Sequence, residues 1–179
     1  MGKAGIQVTI ATTVCRGRNT VSVQLIKPFL WYDGQAEEAT NYYTSIFPNS
    51  RVVKVSRYGE GAPLPAGTVM TIEFELDGQP FIALNGGPHF KFNEAVSFVV
   101  TCQNQNEIDH YWQKLTAGGA EVQCGWLKDK FGLSWQIVPA VLPQLMGGND
   151  PARGARVMQA LMQMVKLDIA GLQKAYDNA

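Results

Sequence analysis

The sequence predicts an α+β fold made of two tandem βαβββ units followed by C-terminal helices. The order strand, helix, strand, hairpin occurs twice along the chain. Apolar residues at spacings of three and four mark the helices, and short β-prone runs mark the strands. An Asp-Gly pair between two such runs indicates a two-residue hairpin, because a type I′ turn needs positive φ at both central residues. We expect a single domain over residues 25–179, preceded by an extension of residues 1–24.

The first unit is expected over residues 25–85. Its hairpin turns at Asp77-Gly78, and the glycines and prolines of residues 59–67 indicate a loop. The expected elements are a strand at 25–32, a helix at 36–47, a strand at 51–58 and hairpin strands at 68–76 and 79–84.

The second unit is expected over residues 95–138, with a strand at 95–101, a helix at 106–115, and strands at 121–127 and 133–138 around a turn at 129–132. Shifting its helix back by 69 positions places Glu107, Tyr111, Trp112 and Leu115 on Glu38, Tyr42, Tyr43 and Ile46. Because the order of elements is also kept, this match indicates a repeat. Alternation along the first strand predicts that Val96, Phe98 and Val100 face the helix.

A helical tail is expected over residues 139–179. Asp168 is expected to cap its last helix, at 169–176. An earlier helix at 151–165 has an apolar stripe of Val157, Met158, Leu161, Met162 and Val165. We interpret this stripe as packing against a sheet edge or a partner subunit, with a promiscuous binding surface as the alternative.

Charge and cysteine content exclude several classes of function. Lys+Arg and Asp+Glu are equal at 15 each and the basic residues are scattered, so we expect no nucleic-acid or membrane partner. The three cysteines have no C-x-x-C spacing, which disfavours a disulfide framework or zinc knuckle and favours a cytoplasmic location. Residues 1–14 make a poor signal peptide, and the extension is expected to be strand-prone or disordered.

Three stretches carry a resemblance to a known family: residues 28–39 (PFLWYDGQAEEA), 84–90 (LNGGPHF) and 124–136 (CGWLKDKFGLSWQ). With them the chain resembles the PhnB-like branch of the vicinal-oxygen-chelate, or glyoxalase–bleomycin-resistance, superfamily. Members of this branch often carry the label 3-demethylubiquinone-9 3-methyltransferase. The resemblance implies that each unit curls into a half-barrel, that the concave faces enclose the site, and that helices cover the outside. It also implies a homodimer, frequently with strands or units exchanged between chains.

The resemblance further implies four metal-ligand positions on the concave face, which here hold Lys27, Ala95, Ile82 and Gln136. A lysine cation repels a metal, and alanine and isoleucine side chains have no donor atom. One neutral amide does not hold a divalent cation against water. We therefore expect no metal and no other cofactor. The alternative is a metal held by His89 or Glu94 beside Gln136.

Strand alternation predicts which side chains line the cavity. Lys27 is expected to bind an anionic substrate group or, as the less favoured alternative, to pair with a carboxylate. His89 is a candidate general base or a loop histidine bonded to the backbone. Trp135 is expected in the core and His110 on the surface. The residues expected to contact the ligand are Phe29, Trp31, Ser97, Trp126 and Gln136.

Two functions remain open at this point. The favoured one is a small-molecule binding protein with a cavity on the concave face, without a catalytic metal and with unknown or no catalysis. The alternative is a metal-independent, or divalent-metal, enzyme acting on a small oxygenated metabolite, with Lys27 and Gln136 polarising the substrate and His89 moving a proton. Methyl transfer from S-adenosylmethionine is not favoured, because the only glycine-rich candidate, residues 59–61, runs into a proline-containing segment rather than a helix.

Overall fold

A computed structural model describes residues 25–147 and 150–178, so the extension predicted at residues 1–24 lies outside the described residues. The described chain forms two four-stranded sheets and five helices. Each sheet combines one parallel strand pair with antiparallel ones. The predicted α+β class with two βαβββ units is confirmed.

The first unit contains β1 (Phe29–Tyr32), α1 (Ala36–Ile46), β2 (Arg51–Arg57), β3 (Val69–Leu76) and β4 (Gln79–Asn85). Its strand order is β1-β4-β3-β2, with β1 parallel to β4. The hairpin between β3 and β4 has the predicted turn, since φ is 47° at Asp77 and 76° at Gly78.

The second unit contains β5 (Ser97–Cys102), α2 (Gln105–Thr116), β6 (Ala120–Glu121), β7 (Trp126–Lys128) and β8 (Ser134–Pro139). Its strand order, β5-β8-β7-β6, repeats that of the first unit. Two side-chain hydrogen bonds cap the start of α2: the side chain of Asn104 accepts one from the Glu107 N–H, and the Glu107 carboxylate accepts one from the Gln103 N–H.

Two local predictions in the second unit are wrong. The strand expected over 121–127 is broken into β6 and β7, because Cys124 and Gly125 take φ values of 62° and 81° and donate their N–H groups to the tail carbonyls of Met164 and Val165. Val96, expected to face the helix, is 63% exposed because β5 begins only at Ser97.

A single core joins the two units through the faces of their sheets that the helices cover. Tyr43 of α1, fully buried, contacts Trp135 of β8 with ring centroids 5.6 Å apart. Phe81 of β4 meets Phe98 of β5 at 5.2 Å. Trp135 is therefore a core residue, as predicted.

Polar contacts in this core converge on Asp129, which is 3% exposed. Its carboxylate accepts hydrogen bonds from the Tyr43 hydroxyl at 2.7 Å and the Trp135 indole N–H at 2.9 Å. It also accepts from the backbone N–H groups of Phe131 and Leu133. A helix of the first unit and a strand of the second are thus tied to one turn.

The tail forms α3 (Leu142–Met146), α4 (Pro151–Met162) and α5 (Ile169–Asp177). Asp168 caps α5 as predicted, accepting from the Ala170 N–H at 3.1 Å. The five-residue α3 was not predicted because it is too short to show a helical period. Met158 and Met162, expected to pack, are 42% and 52% exposed, and only Val157 of their stripe is fully buried. Among the described helices, none has the length and apolar character to cross a membrane.

Candidate functional site

The face of the first sheet that points away from α1, which the resemblance implies to be concave, has the alternation that the sequence predicts. On β1, Leu30 and Tyr32 are buried beneath α1, whereas Phe29 is 54% exposed on the opposite side. Phe29 lies beside Ile82 of β4, which lies beside Glu73 of β3. We call Lys27, Phe29, Glu73 and Ile82 the unit-one group.

Within this group the Lys27 ammonium lies 3.6 Å from a Glu73 carboxylate oxygen. Of the two roles considered for this lysine, pairing with a carboxylate is the one present in the chain. Both side chains are about one-third exposed, at 33% and 37%, and such a pair contributes only about 0–1 kcal/mol of stability. An anionic ligand would therefore have to compete with Glu73 for the ammonium.

An equivalent row crosses the second unit, where Val99 of β5, Gln136 of β8 and Trp126 of β7 are neighbours. The Gln136 amide N–H donates to the Ser97 hydroxyl at 2.8 Å, which fixes the orientation of the amide. Its carbonyl oxygen accepts no hydrogen bond from the described residues, and the partly buried residue lies between Val99 and Trp126. We call Ser97, Val99, Trp126 and Gln136 the unit-two group.

Trp31 contacts the connector between the units, which comprises residues 86–96 between β4 and β5. Its indole N–H donates to the Gly87 carbonyl at 2.8 Å, and its ring lies edge-on to Phe90 at 4.9 Å. The ring also lies so close to Gly86 that a Cβ there would be 2.3 Å from it, which explains why a glycine is needed. Trp31 thus has a structural role besides the ligand contact predicted for it.

His89 lies on the same connector and is exposed. Within the described residues it makes no hydrogen bond or ion pair, so neither the positioned base nor the backbone-bonded histidine has a visible partner. His110 is exposed on α2, as expected.

A cavity of about 320 Å³ lies between the connector and the end of β1. It is lined by Trp31, Tyr32, Asp33, Gln35, Phe90, Lys91, Phe92, Phe131 and Gly132. Trp31 is its only lining residue that the sequence predicts as a ligand contact.

The predicted site residues therefore form two open groups, one on each sheet, with Trp31 and His89 near the connector. A cavity of about 580 Å³ lies between the units beside the β3–β4 hairpin. Val99 of the unit-two group lines it, but none of the site residues predicted from the sequence does. Sequence reasoning missed it because its aromatic rings belong to helix stripes and helix-facing strand positions, which are interpreted as core.

The side chains at the four metal-ligand positions that the resemblance implies do not fit a divalent cation. Lys27 is paired with Glu73, while Ala95 and Ile82 bring no donor atom. Glu94, a potential substitute ligand, forms an ion pair with Lys128, and this contact lowers the pKa of the Glu94 carboxyl. Among the described residues no three His, Cys, Asp or Glu side chains lie close enough together to hold a metal ion. Metal independence itself stays a prediction.

Comparison with known proteins identifies the family. The family model described as 3-demethylubiquinone-9 3-methyltransferase matches residues 24–138. A PhnB protein from Bacillus cereus, provisionally described by the same activity, is 41% identical with a TM-score of 0.61, and the match covers 65% of this chain and 100% of that one.

More distant structures share the fold. Protein PA1353 from Pseudomonas aeruginosa is 18% identical with a TM-score of 0.53, covering 64% of this chain and 96% of that one. The fosfomycin resistance protein FosX from Listeria monocytogenes is 15% identical with a TM-score of 0.51, covering 70% and 97%. No curated protein matches the chain. The chain belongs to the PhnB-like family described as 3-demethylubiquinone-9 3-methyltransferase and has the fold of the glyoxalase–bleomycin-resistance superfamily.

Proposed function

We propose that this protein binds a small planar molecule on the concave faces of its sheets, without a catalytic metal. The observation that carries the proposal is the row Val99–Gln136–Trp126, in which one oriented amide lies between two apolar side chains. Small-molecule sites have this composition: apolar walls give affinity and a few fixed polar groups give orientation. The free carbonyl oxygen of Gln136 suits a ligand N–H or O–H donor.

A second copy of the chain is proposed to close the site. Because the units share a core through their helix-covered faces, the opposite faces point away from it and each group stays open. The edges nearest the two groups are β1 and β5. Exposed apolar residues lie along both: Leu25 and Ile26 precede β1, at 93% and 79% exposed, and Val99 on β5 is 56% exposed. A homodimer that brings β1 of one copy against β5 of the other covers these edges and joins a unit-one group to a unit-two group.

Methyl transfer, which the family description names, is not part of the proposal. Residues 59–61 are followed by β3 and do not open a helix. An S-adenosylmethionine site of the usual kind places backbone N–H groups at a glycine-rich turn between a strand and a helix. This segment therefore gives that cofactor no such turn.

The experiment combines a ligand screen with elemental analysis. Planar aromatic compounds carrying a donor group are screened by thermal shift, and the dissociation constant of the best hit is measured by calorimetry. Gln136→Leu should weaken its binding by about tenfold, because one hydrogen bond in an apolar pocket is lost. Gln113→Leu, an equivalent change at an exposed position on α2, should leave it unchanged.

Three results would contradict the proposal. Stoichiometric zinc, nickel or manganese in the purified protein would show a metal site. Conversion of the bound compound, detected by mass spectrometry, would favour the enzyme alternative over a binding protein. Equal affinities of wild type and Gln136→Leu would show that the Gln136 amide does not contact the ligand.

A further inference from the structure

The cavity of about 580 Å³ lies between the units along the edge strand β5, and Val99 is the one member of the two groups that lines it. Phe81 of β4 and Phe98 of β5 line it, and both belong to the shared core. Its volume falls within the range of roughly 300–1,000 Å³ that is common for small-molecule sites. It is therefore a second candidate site, and its argument does not rest on the proposed concave one.

Aromatic rings form much of the wall. Phe47 at the end of α1 lies between Tyr111 of α2 and Trp135 of β8, with centroid distances of 5.2 and 5.3 Å and interplanar angles of 20° and 26°. Phe98 continues the contact chain from Trp135, at 5.5 Å. The stack covers both faces of Phe47, so a flat ligand would contact the partly buried rings at the two ends of this chain, Tyr111 and Phe98. The negative faces of aromatic rings attract cations.

The charges at this cavity all have one sign. Asp77 and Glu107 line it, and no lysine, arginine or histidine does. The Glu107 carboxylate is held by the N-terminal cap of α2, at 2.8 Å from the Gln103 nitrogen. Asp77, on the β3–β4 turn, makes no ion pair within the described chain.

The pKa of the Tyr111 hydroxyl is affected by this negative environment. Burial raises the pKa of Tyr111, and the nearby Cys102, Glu107 and Asp77 raise it further. The Tyr111 hydroxyl also makes no hydrogen bond to the described residues, which leaves it available to a ligand.

We propose that this cavity binds a flat aromatic molecule that carries a positive charge. The rings contact the flat body of the ligand, and the carboxylates of Asp77 and Glu107 select its charge. A neutral molecule of the same shape lacks the second interaction, and an anion is repelled.

The test compares 1-methylquinolinium with neutral quinoline at neutral pH, both titrated by calorimetry into the full chain. The cation should bind about tenfold more tightly, because a cation–π contact and a nearby carboxylate act together. Added salt should weaken binding of the cation and leave binding of quinoline unchanged. Equal affinities, or no saturable binding of the cation, would overturn the proposal.

The Asp77→Asn variant tests whether the cation binds in this cavity. Asparagine tolerates the φ of 47° at this position, so the change removes charge without straining the turn. It should weaken the binding of 1-methylquinolinium by about threefold. Glu60→Gln removes the same charge from an exposed loop and should have no effect. If Asp77→Asn binds the cation like wild type, or if Glu60→Gln weakens it equally, the proposal is wrong.

Discussion

The carboxylate of Asp129 is the acceptor on which both units converge. Two side-chain donors, from Tyr43 and Trp135, and two backbone donors surround it, which satisfies a group that would otherwise be costly to bury. Burial raises its pKa above the ordinary 3.8, and the hydrogen bonds oppose this rise. The residue therefore couples the assembly of the core to pH.

Replacing Asp129 with asparagine should lower the free energy of unfolding by about 2 kcal/mol, because the amide offers one acceptor oxygen instead of two. Urea unfolding at neutral pH measures this change. Asp33→Asn, at an exposed turn, is the control and should cost little. A loss no greater than that of Asp33→Asn would mean that the network contributes nothing.

The raised pKa of Asp129 also predicts a pH dependence. A folded state with the higher pKa binds the proton more readily than the unfolded chain, so this contribution to stability is complete below the unfolded value of 3.8 and is lost as pH rises through the folded pKa. The stability advantage of wild type over Asp129→Asn should therefore decrease as pH rises above about 4. An advantage that increases over this range would contradict the direction of the shift.

At the scale of elements, the tail helices are built onto the second unit rather than attached loosely to it. The turn between β6 and β7 donates the Cys124 and Gly125 N–H groups to tail carbonyls, each at 2.8 Å. Leu167, fully buried, lies against Gly125. The Cys124 and Met162 sulfur atoms are 3.7 Å apart at the same junction. The split strand and the tail are thus one structural feature.

Leu167→Ala should lower the free energy of unfolding by about 3 kcal/mol, since it leaves a cavity at this junction. Met158→Ala, at a position on α4 that is 42% exposed, is the matched control and should change stability by less than about 0.5 kcal/mol. Chemical denaturation followed by circular dichroism measures both. Similar values for the two variants would show that the tail is not part of the cooperative core.

At the scale of the whole molecule, the shared core decides what each sheet can do. The faces that carry helices are used to join the units, so the opposite faces are left open and the proposed site is incomplete within one chain. The other edge of the first sheet, β2, also has exposed valines, with Val53 at 51%. Two candidate edges for association therefore exist on the first sheet. β1 contributes Phe29 to the unit-one group, whereas β2 adjoins the group only where Lys54 pairs with Glu73.

Val99→Asp should convert the proposed dimer into a monomer and abolish ligand binding on the concave face, because a charge would be buried at the β1–β5 contact. Val53→Asp places the same charge on β2 and should leave the dimer intact. Light scattering coupled to size exclusion gives the mass of each variant. Dissociation by Val53→Asp alone would place the interface on β2 instead.

Local patterns in the sequence were enough to predict the repeat and the helices and strands within it. Apolar spacing located α1 and α2, the Asp77-Gly78 turn set the hairpin, and strand alternation gave the buried side of β1 and β8. These features depend on residues within a few positions of one another, where propensity and periodicity act directly.

Other features depend on contacts between distant segments, and only the tertiary structure decided them. The pairing of Lys27 with Glu73, the split between β6 and β7, and the cavity lined by Phe47 and Tyr111 each require two elements to meet. A sequence lists the groups able to form such contacts, but which of them meet depends on how the sheets and helices pack. Residue types and their periodicity were therefore enough to predict the fold and the buried side of its elements. Packing between the units determines which of these surfaces come into contact and where cavities form.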